Sequence, residues 1–463
     1  MRDQFTASQR HHSCDRRSFL QQSAVWGGAI LGGASLLQAA PATTKLPRKG
    51  HRPKIACLFT EFRPLSHAHV VVENFLEKYP FNGEMIDPGV DIVSFWGDQF
   101  GQNDMSRQIS RDYKIPIFKT IDEALCLGGK NLAVDAVLAI GEHGNYPLDR
   151  EWVTKYPRKR FFDESVAVMR RSGRVVPYFN DKHLCYRWDL AKKMYDTARE
   201  MKMPLMAGSS VPLAQRVPSL ELPDGAEIAE AMMIHGGQFE NYGIHAVETL
   251  QSIVESRKGG ETGISQIEVL YDEELWKGAR AGKWPFELAA AAMELELGKP
   301  YTLTTKLPDP ITYKSWARRE PHGLLINYKD GTKGYVIKLG ANSLRWNFAC
   351  RLKGEKEIRA TQFYPGPWKL RNLFRALCHA VQHFFIHGEA PYPVERALMA
   401  NGTILAAVDA YHQRGKPLAT PHLEFAYEPR DFRAFRENGA TWKKLLPEGT
   451  PEPKGIAPLT QAR

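Results

Sequence analysis

The stretch VDAVLAIGEHGNYP, residues 134–147, decides how the chain is read: an almost continuously apolar run up to Ile140 breaks into Gly141, Glu142, His143 and Asn145. A strand buried on both faces of a parallel sheet has that composition, and polar residues just beyond its carboxyl end are where such sheets collect ligands. Comparable runs lie at 55–59, 91–96, 115–118, 174–179 and 203–207, separated by helical stretches. The clearest helix is 188–201, where Leu190, Met194, Ala198 and Met201 recur at helical spacing opposite Lys192, Lys193, Asp196 and Arg199. Strands alternating with helices predict an α/β fold, a Rossmann-like doubly wound parallel sheet, over residues 43–210.

Past residue 211 the strand candidates lengthen and several alternate in polarity: 227–235, 266–271, 323–328, 334–339 and 345–352. Asp330-Gly331 between two of them is a hairpin signal. Residues 211–430 therefore read as an α+β domain, a largely antiparallel open sheet with helices on one face, the helices at 245–255, 286–298, 370–387 and 394–414. Residues 431–463, rich in Pro, Gly and charge, read as an extended tail over the surface.

Residues 1–42 have a different character. Arg16 and Arg17 precede Ser18-Phe19-Leu20, an apolar Gly- and Ala-rich run follows from Ala24 to Ala40, and Ala40-Pro41-Ala42 is a small-residue cleavage pattern. This reads as a twin-arginine signal peptide, which predicts a periplasmic or secreted protein. An uncleaved anchor is the other reading of the run, and no membrane span is expected after it. Removing the leader lowers the net charge from +10 to +8, an excess too scattered for a nucleic-acid footprint. Of the six cysteines, Cys14 leaves with the leader, and the other five form no CxxC pair, so buried thiols are expected.

Chemistry should gather at the strand ends. After the first strand come Glu61, Arg63, Ser66, His67 and His69; after the second, Asp98; after the fifth, Asp181, Lys182 and His183. A GxGxxG dinucleotide loop is absent: the first turn reads TEFRPLSH, 60–67, without glycine, and Phe62 and Pro64 would crowd a diphosphate. Ser66 is a good N-cap, so a helix N-terminus beside Arg63 stays available to an anion, and Asp98 stands where a ribose-binding acid would follow the second strand.

Four segments in order resemble the glucose-fructose oxidoreductase, inositol dehydrogenase and MocA (Gfo/Idh/MocA) family. They are residues 134–147; VPYFNDKHL, 176–184, with the following helix and PLMAGSS, 204–210; ENYGIHAVETLQ, 240–251; and the closing helices within 383–417. The resemblance implies an oxidoreductase with NAD or NADP as cofactor, a sugar or cyclitol between the two domains, and a homo-oligomer formed through the C-terminal sheet. It makes Lys182 and His245 catalytic and gives cofactor contacts to Arg63, Ser66, Asp98, Glu142 and Lys182. Substrate contacts fall to His143, Asp181, His183, Asn241 and Glu248. The chain departs from the family pattern at Asp181 for Glu, His183 for Pro and Asn241 for Asp, and residues 148–161 resemble an insertion near the cleft.

Other readings of the same residues stand beside this one. The cleft can belong to a carbohydrate-binding module without a dinucleotide, or to a hydrolase or lyase working through strand-end His and Glu groups. Lys182 can instead pair structurally with Asp181 or Glu248. A metal is not expected, although His67, His69, Glu142 and His143 could ligate one if they converge, and His379, His383 and His387 recur every fourth residue on one helix.

Overall fold

The computed structural model describes Thr43–Thr44 and residues 52–149, 151–312, 318–368, 370–446 and 449–456. The leader, with Arg16, Arg17 and the cleavage pattern, lies outside the described residues.

The first half runs β1 (Thr43–Thr44), β2 (Lys54–Phe59), α1 (His67–Leu76), a hairpin of β3 (Tyr79–Phe81) and β4 (Glu84–Ile86), β5 (Asp91–Gly97), α2 (Ser106–Tyr113) and α3 (Ile121–Cys126). It continues with β6 (Ala136–Ile140), α4 (Arg158–Arg171), β7 (Arg174–Val175), β8 (Tyr178–Asp181), α5 (Trp188–Glu200) and β9 (Leu205–Gly208). Five strands make a parallel sheet in the order β5-β2-β6-β8-β9. Both its faces are buried: along β2, Ile55, Cys57 and Phe59 enter one core while Ala56 and Leu58 enter another.

Proline corrects two of the expected strands. Residues 115–118 form only an isolated parallel bridge, Ile117 to Phe95, at the β5 edge, because Pro116 has no N–H for a ladder. The strand expected at 174–179 is split at Pro177 into β7, which pairs with β1, and β8, which alone joins the main sheet.

The second half runs β10 (Gln215–Val217), β11 (Ile228–His235), α6 (Phe239–Val254), β12 (Ile264–Tyr271), α7 (Glu273–Arg280), α8 (Phe286–Leu297), β13 (His322–Tyr328) and β14 (Lys333–Lys338). It closes with β15 (Trp346–Leu352), β16 (Ile358–Tyr364), α9 (Leu370–His387), α10 (Val394–Tyr411) and β17 (Leu418–Ala419). The eight strands order as β10-β16-β15-β11-β14-β13-β12-β17, antiparallel except for β11 with β14. Gly331, at φ +89°, takes the left-handed position of the turn between β13 and β14.

Helices cover both faces of this sheet rather than one. Ala231 and Met233 of β11 pack into the core shared with α6 and α10, while Met232 and Ile234 pack with Leu288, Ala292 and Met293 of α8. The sheet that the resemblance assigns to oligomer contact thus carries α8 over β16, β15 and β11 on one face. The tail also differs from an extended surface strand: Phe432, Glu437, Thr441 and Ile456 are buried, and Trp368 donates its indole N–H to the Thr450 carbonyl at 3.0 Å. Cys57, Cys126, Cys185, Cys350 and Cys378 are free and buried. Among the described residues no helix is long and apolar enough to cross a membrane.

Candidate active site

Lys182 follows the carboxyl end of β8 at φ +67°, and His143, just past β6, sits at φ +72°. Left-handed backbone at a non-glycine residue costs about 1–3 kcal/mol and persists where the surroundings impose it. Here they do: the Lys182 amide donates to the Gly208 carbonyl at 3.2 Å. Its ammonium donates to Glu142 Oε1 at 2.9 Å, and Arg158, from the first turn of α4, pairs with the other Glu142 oxygen. Burial alone would raise the Glu142 carboxyl, but Lys182 and Arg158 together hold it well below its ordinary range. Lys182 therefore pairs with Glu142, not with Asp181 or Glu248.

Asp181, its side chain only 2% exposed, turns instead to α1, where its carboxylate lies 2.6 Å from His67 Nδ1. The His67 ring stands edge-on to His143 at 5.0 Å and to Phe374 at 4.7 Å. Burial holds the His143 imidazole neutral, its pKa lowered to about 3, and its Nδ1 accepts the His67 backbone N–H at 3.3 Å.

His245 comes from the second sheet's side. α6 begins at Phe239, so His245 lies in its second turn rather than opening it. Its Nδ1 is 2.6 Å from the Ser209 hydroxyl, and Ser209 donates its amide to Glu248 Oε2 at 2.9 Å. Glu248 is fully buried beneath the site, and burial pushes its pKa up to about 8. Gly208 permits this approach, since a Cβ there would stand 2.3 Å from Glu248 Oε1. His183 is likewise buried, its Nε2 3.2 Å from Glu240, whose pKa is raised to about 7 by burial.

These two carboxyls make a pH prediction with a definite sign. Glu240 and Glu248 bind protons more tightly folded than unfolded, so their contribution to stability is complete below about pH 4.5 and is lost as pH rises through about 7 and 8. Glu248→Gln is expected to flatten that decline: the stability of the wild type relative to the variant should fall between pH 5 and 9 in paired denaturant titrations. A difference independent of pH would refute the protonated state of Glu248.

Lys182, His245, His67, His143, Glu142 and Asn241 line one cleft of about 480 Å³. Tyr156, Tyr242, Trp346 and Trp368 form aromatic parts of its wall. Six residues expected at the site are not on that wall. Asp181, His183 and Glu248 support it from behind. Ser66 is consumed as the N-cap of α1, and Arg63 pairs with Glu61. Asp98 accepts from the Tyr146 hydroxyl at 2.7 Å and pairs with Arg160, so it is not a free ribose acceptor.

The same geometry decides how a dinucleotide fits. Its diphosphate would rest on the α1 N-terminus, where unpaired amides attract anions. Here the His67 amide goes to His143, the His69 amide goes to Ser66 Oγ at 3.3 Å, and the Asp181 carboxylate sits against His67. Phe62 does not crowd the space as the sequence led us to expect, because it packs into the core against Phe59 and Phe95. The obstacles are the spent amides and the carboxylate, and the residues present do not fit NAD or NADP in the family's pose.

Of the possible metal ligands, His67, Glu142 and His143 share the cleft and His69 leaves it. His69 accepts the Leu65 amide at Nδ1 and faces Glu73 at 3.7 Å on the far side of α1, while Glu142 is saturated by two cations. His379 stacks on Phe81 at 4.5 Å, leaving only His383 and His387 adjacent. Among the described residues no group of three or more His, Cys, Asp or Glu side chains is disposed to hold a metal ion. Sequence reasoning missed Arg158, Ser209, Tyr156 and Trp346. Arg158 and Tyr156 lie in 148–161, which resembled an insertion near the cleft, and Ser209 and Trp346 carried no spacing signal.

No family model and no curated protein matches the chain. Solved structures do. A probable dehydrogenase from Thermotoga maritima is 9% identical over 80% of this chain and 99% of its own, with a TM-score of 0.51. GenD2 from gentamicin A biosynthesis, in complex with NAD, is 11% identical over 82% and 99%, with a TM-score of 0.49. A myo-inositol dehydrogenase from Corynebacterium glutamicum is 9% identical over 80% and 99%, with a TM-score of 0.48. Identity this low speaks for architecture and not for activity. With its five-stranded parallel sheet, its eight-stranded mixed sheet and its two closing helices, the chain has the two-domain fold of the Gfo/Idh/MocA dehydrogenases in a strongly diverged sequence.

Proposed function

We propose that the chain is an exported enzyme of Gfo/Idh/MocA descent that works on a carbohydrate-like ligand by proton transfer, with Lys182 and His245 as the groups that meet the reacting hydroxyl. The carrying observation is that these two side chains, reached from different sheets, share one cleft. Aromatic rings on its wall suit the apolar faces of a sugar, and the polar groups suit its hydroxyls. Lys182 is held in place by Glu142, and His245 is kept neutral because burial lowers its pKa well below the ordinary value.

NAD(P)-dependent oxidation of that hydroxyl is the second reading, favoured by the fold shared with dehydrogenases. A dinucleotide would supply the hydride acceptor, but it would have to lie away from the α1 N-terminus. Mass analysis of the purified protein and calorimetric titration with NAD(H) and NADP(H) separate the two. The first reading expects no carried dinucleotide and no binding at millimolar concentration, whereas bound or titratable dinucleotide would install the second.

Export rests on the leader. Arg16→Lys with Arg17→Lys is expected to leave the full-length precursor in the cytoplasm, because the arginine pair is the recognition element. Undiminished export of that double variant would remove the twin-arginine reading.

A further inference from the structure

We propose that His67, oriented by Asp181, is the general base of the cleft, and that it takes a proton from the carbon beside a carboxylate or carbonyl of the ligand, a redox-neutral reaction. The inference rests on the preceding section for its ligand class alone. In a doubly wound nucleotide-binding sheet the first residue of this helix faces the diphosphate. Here that place holds a buried carboxylate and an imidazole 2.6 Å apart.

Three observations converge on this role. Asp181 engages Nδ1, which places a proton there and leaves Nε2 as the lone-pair nitrogen, the tautomer a base requires. The ring is fixed between His143 and Phe374 and lines the cleft, and among the described residues Nε2 has no hydrogen-bond partner. Three other groups of the cleft are donors, while the Glu142 carboxylate is taken up by Lys182 and Arg158. Lys182 presents an ammonium. His143 spends Nδ1 on the His67 amide, so its proton is on Nε2. In His245, Nδ1 lies 2.6 Å from the Ser209 hydroxyl, which is assigned as the donor, its oxygen accepting the Val211 amide at 3.0 Å, and in that assignment Nε2 carries the hydrogen. The His67 lone pair therefore shares the cleft with three donors, which is the arrangement for removing a proton and holding the charge it leaves behind.

The step balances without an oxidant. His67 Nε2 accepts the α-proton, the C–H electron pair moves into a new double bond between the α-carbon and the carbonyl carbon, and the carbonyl π pair moves onto its oxygen. The resulting enolate oxygen accepts hydrogen bonds from Lys182. Return of a proton to the α-carbon gives exchange or the epimer. Loss of a β-hydroxyl that gains a proton releases water and leaves the dehydrated product. His67 would be the catalytic residue and Asp181 a positioning residue acting through it.

The test uses the full mature chain in D2O with D-gluconate, D-glucuronate and D-fructose, no nucleotide added, followed by proton NMR. Deuterium at the carbon next to the carboxylate or carbonyl is expected, with a rate about 10²- to 10⁴-fold lower in His67→Ala, or in His67→Gln if alanine unsettles the helix. Asp181→Asn should slow exchange as well and shift the ¹⁵N signals of His67 from the Nδ1–H toward the Nε2–H form, which a merely structural role would not do. Exchange at the wild-type rate without His67, or a bound ligand that never exchanges, would overturn the proposal. So would a wild-type ring carrying its proton on Nε2. If none of the three compounds binds, the ligand class of the preceding section fails, and the ring-nitrogen spectrum alone decides the role of His67.

Discussion

Lys182→Met is expected to lower turnover of the cleft's ligand by about 10²- to 10⁴-fold with an unchanged fold, the range typical of an acid–base group. The fold should persist because Glu142 keeps Arg158, and because methionine retains the apolar stem at a backbone position no worse for it than for lysine. What is lost is the only ammonium that the described residues place on the wall of the cleft. His245→Ala should cost a similar factor, and the double variant far less than the product of the two, since both would serve one reacting group. Circular dichroism with kcat/KM measured on the same preparations checks this. A single-variant loss under tenfold would assign the Lys182–Glu142 pair to structure.

The largest effect on stability is expected at Arg396. This guanidinium, in the first turn of α10, is fully buried and donates through Nε to both oxygens of Glu255, at the end of α6, at 3.0 Å. Its flat face lies over Tyr392 and Phe432 at 4.5 and 4.2 Å, and Tyr427 donates to Glu255 Oε2 at 2.8 Å. Arg396→Met strips the cation from a fully buried carboxylate, so about 3–5 kcal/mol should disappear from the unfolding free energy. Arg396→Met with Glu255→Leu should recover much of that, because the penalty belongs to the stranded charge and not to the absence of an ion pair. Urea midpoints of the three proteins settle the matter. A loss below about 1 kcal/mol in the single variant would mean that Glu255 finds relief by protonation or by water.

How far the sequence reaches depends on whether a property is local. Apolar runs such as 55–59 and 136–140 announce themselves because both sheet faces are buried and each residue must be apolar whichever way it points. The helical spacing of 188–200 is equally local, and so is the turn at Asp330-Gly331. Those signals suffice for the order of elements, for two sheets of different kinds and for the strand ends where a site belongs. Pro116 and Pro177 lie in view in the same way, yet their effect on the sheet depends on which ladder position each one meets.

Pairing depends on distance in space, and no spacing along the chain encodes it. Glu142 could have faced a metal, a ribose or Lys182, and the choice was made by α4, which carries Arg158 back across the strand end. Asp181 and Lys182 are adjacent in sequence but leave β8 on opposite sides, so one orients His67 and the other joins Glu142. The sequence by itself determined the architecture and the edge of the sheet where chemistry collects, because hydrophobic periodicity is a property of each segment alone. Only the tertiary structure decided which buried charges meet, and with them that the His67 and His69 amides at the helix N-terminus are already spent.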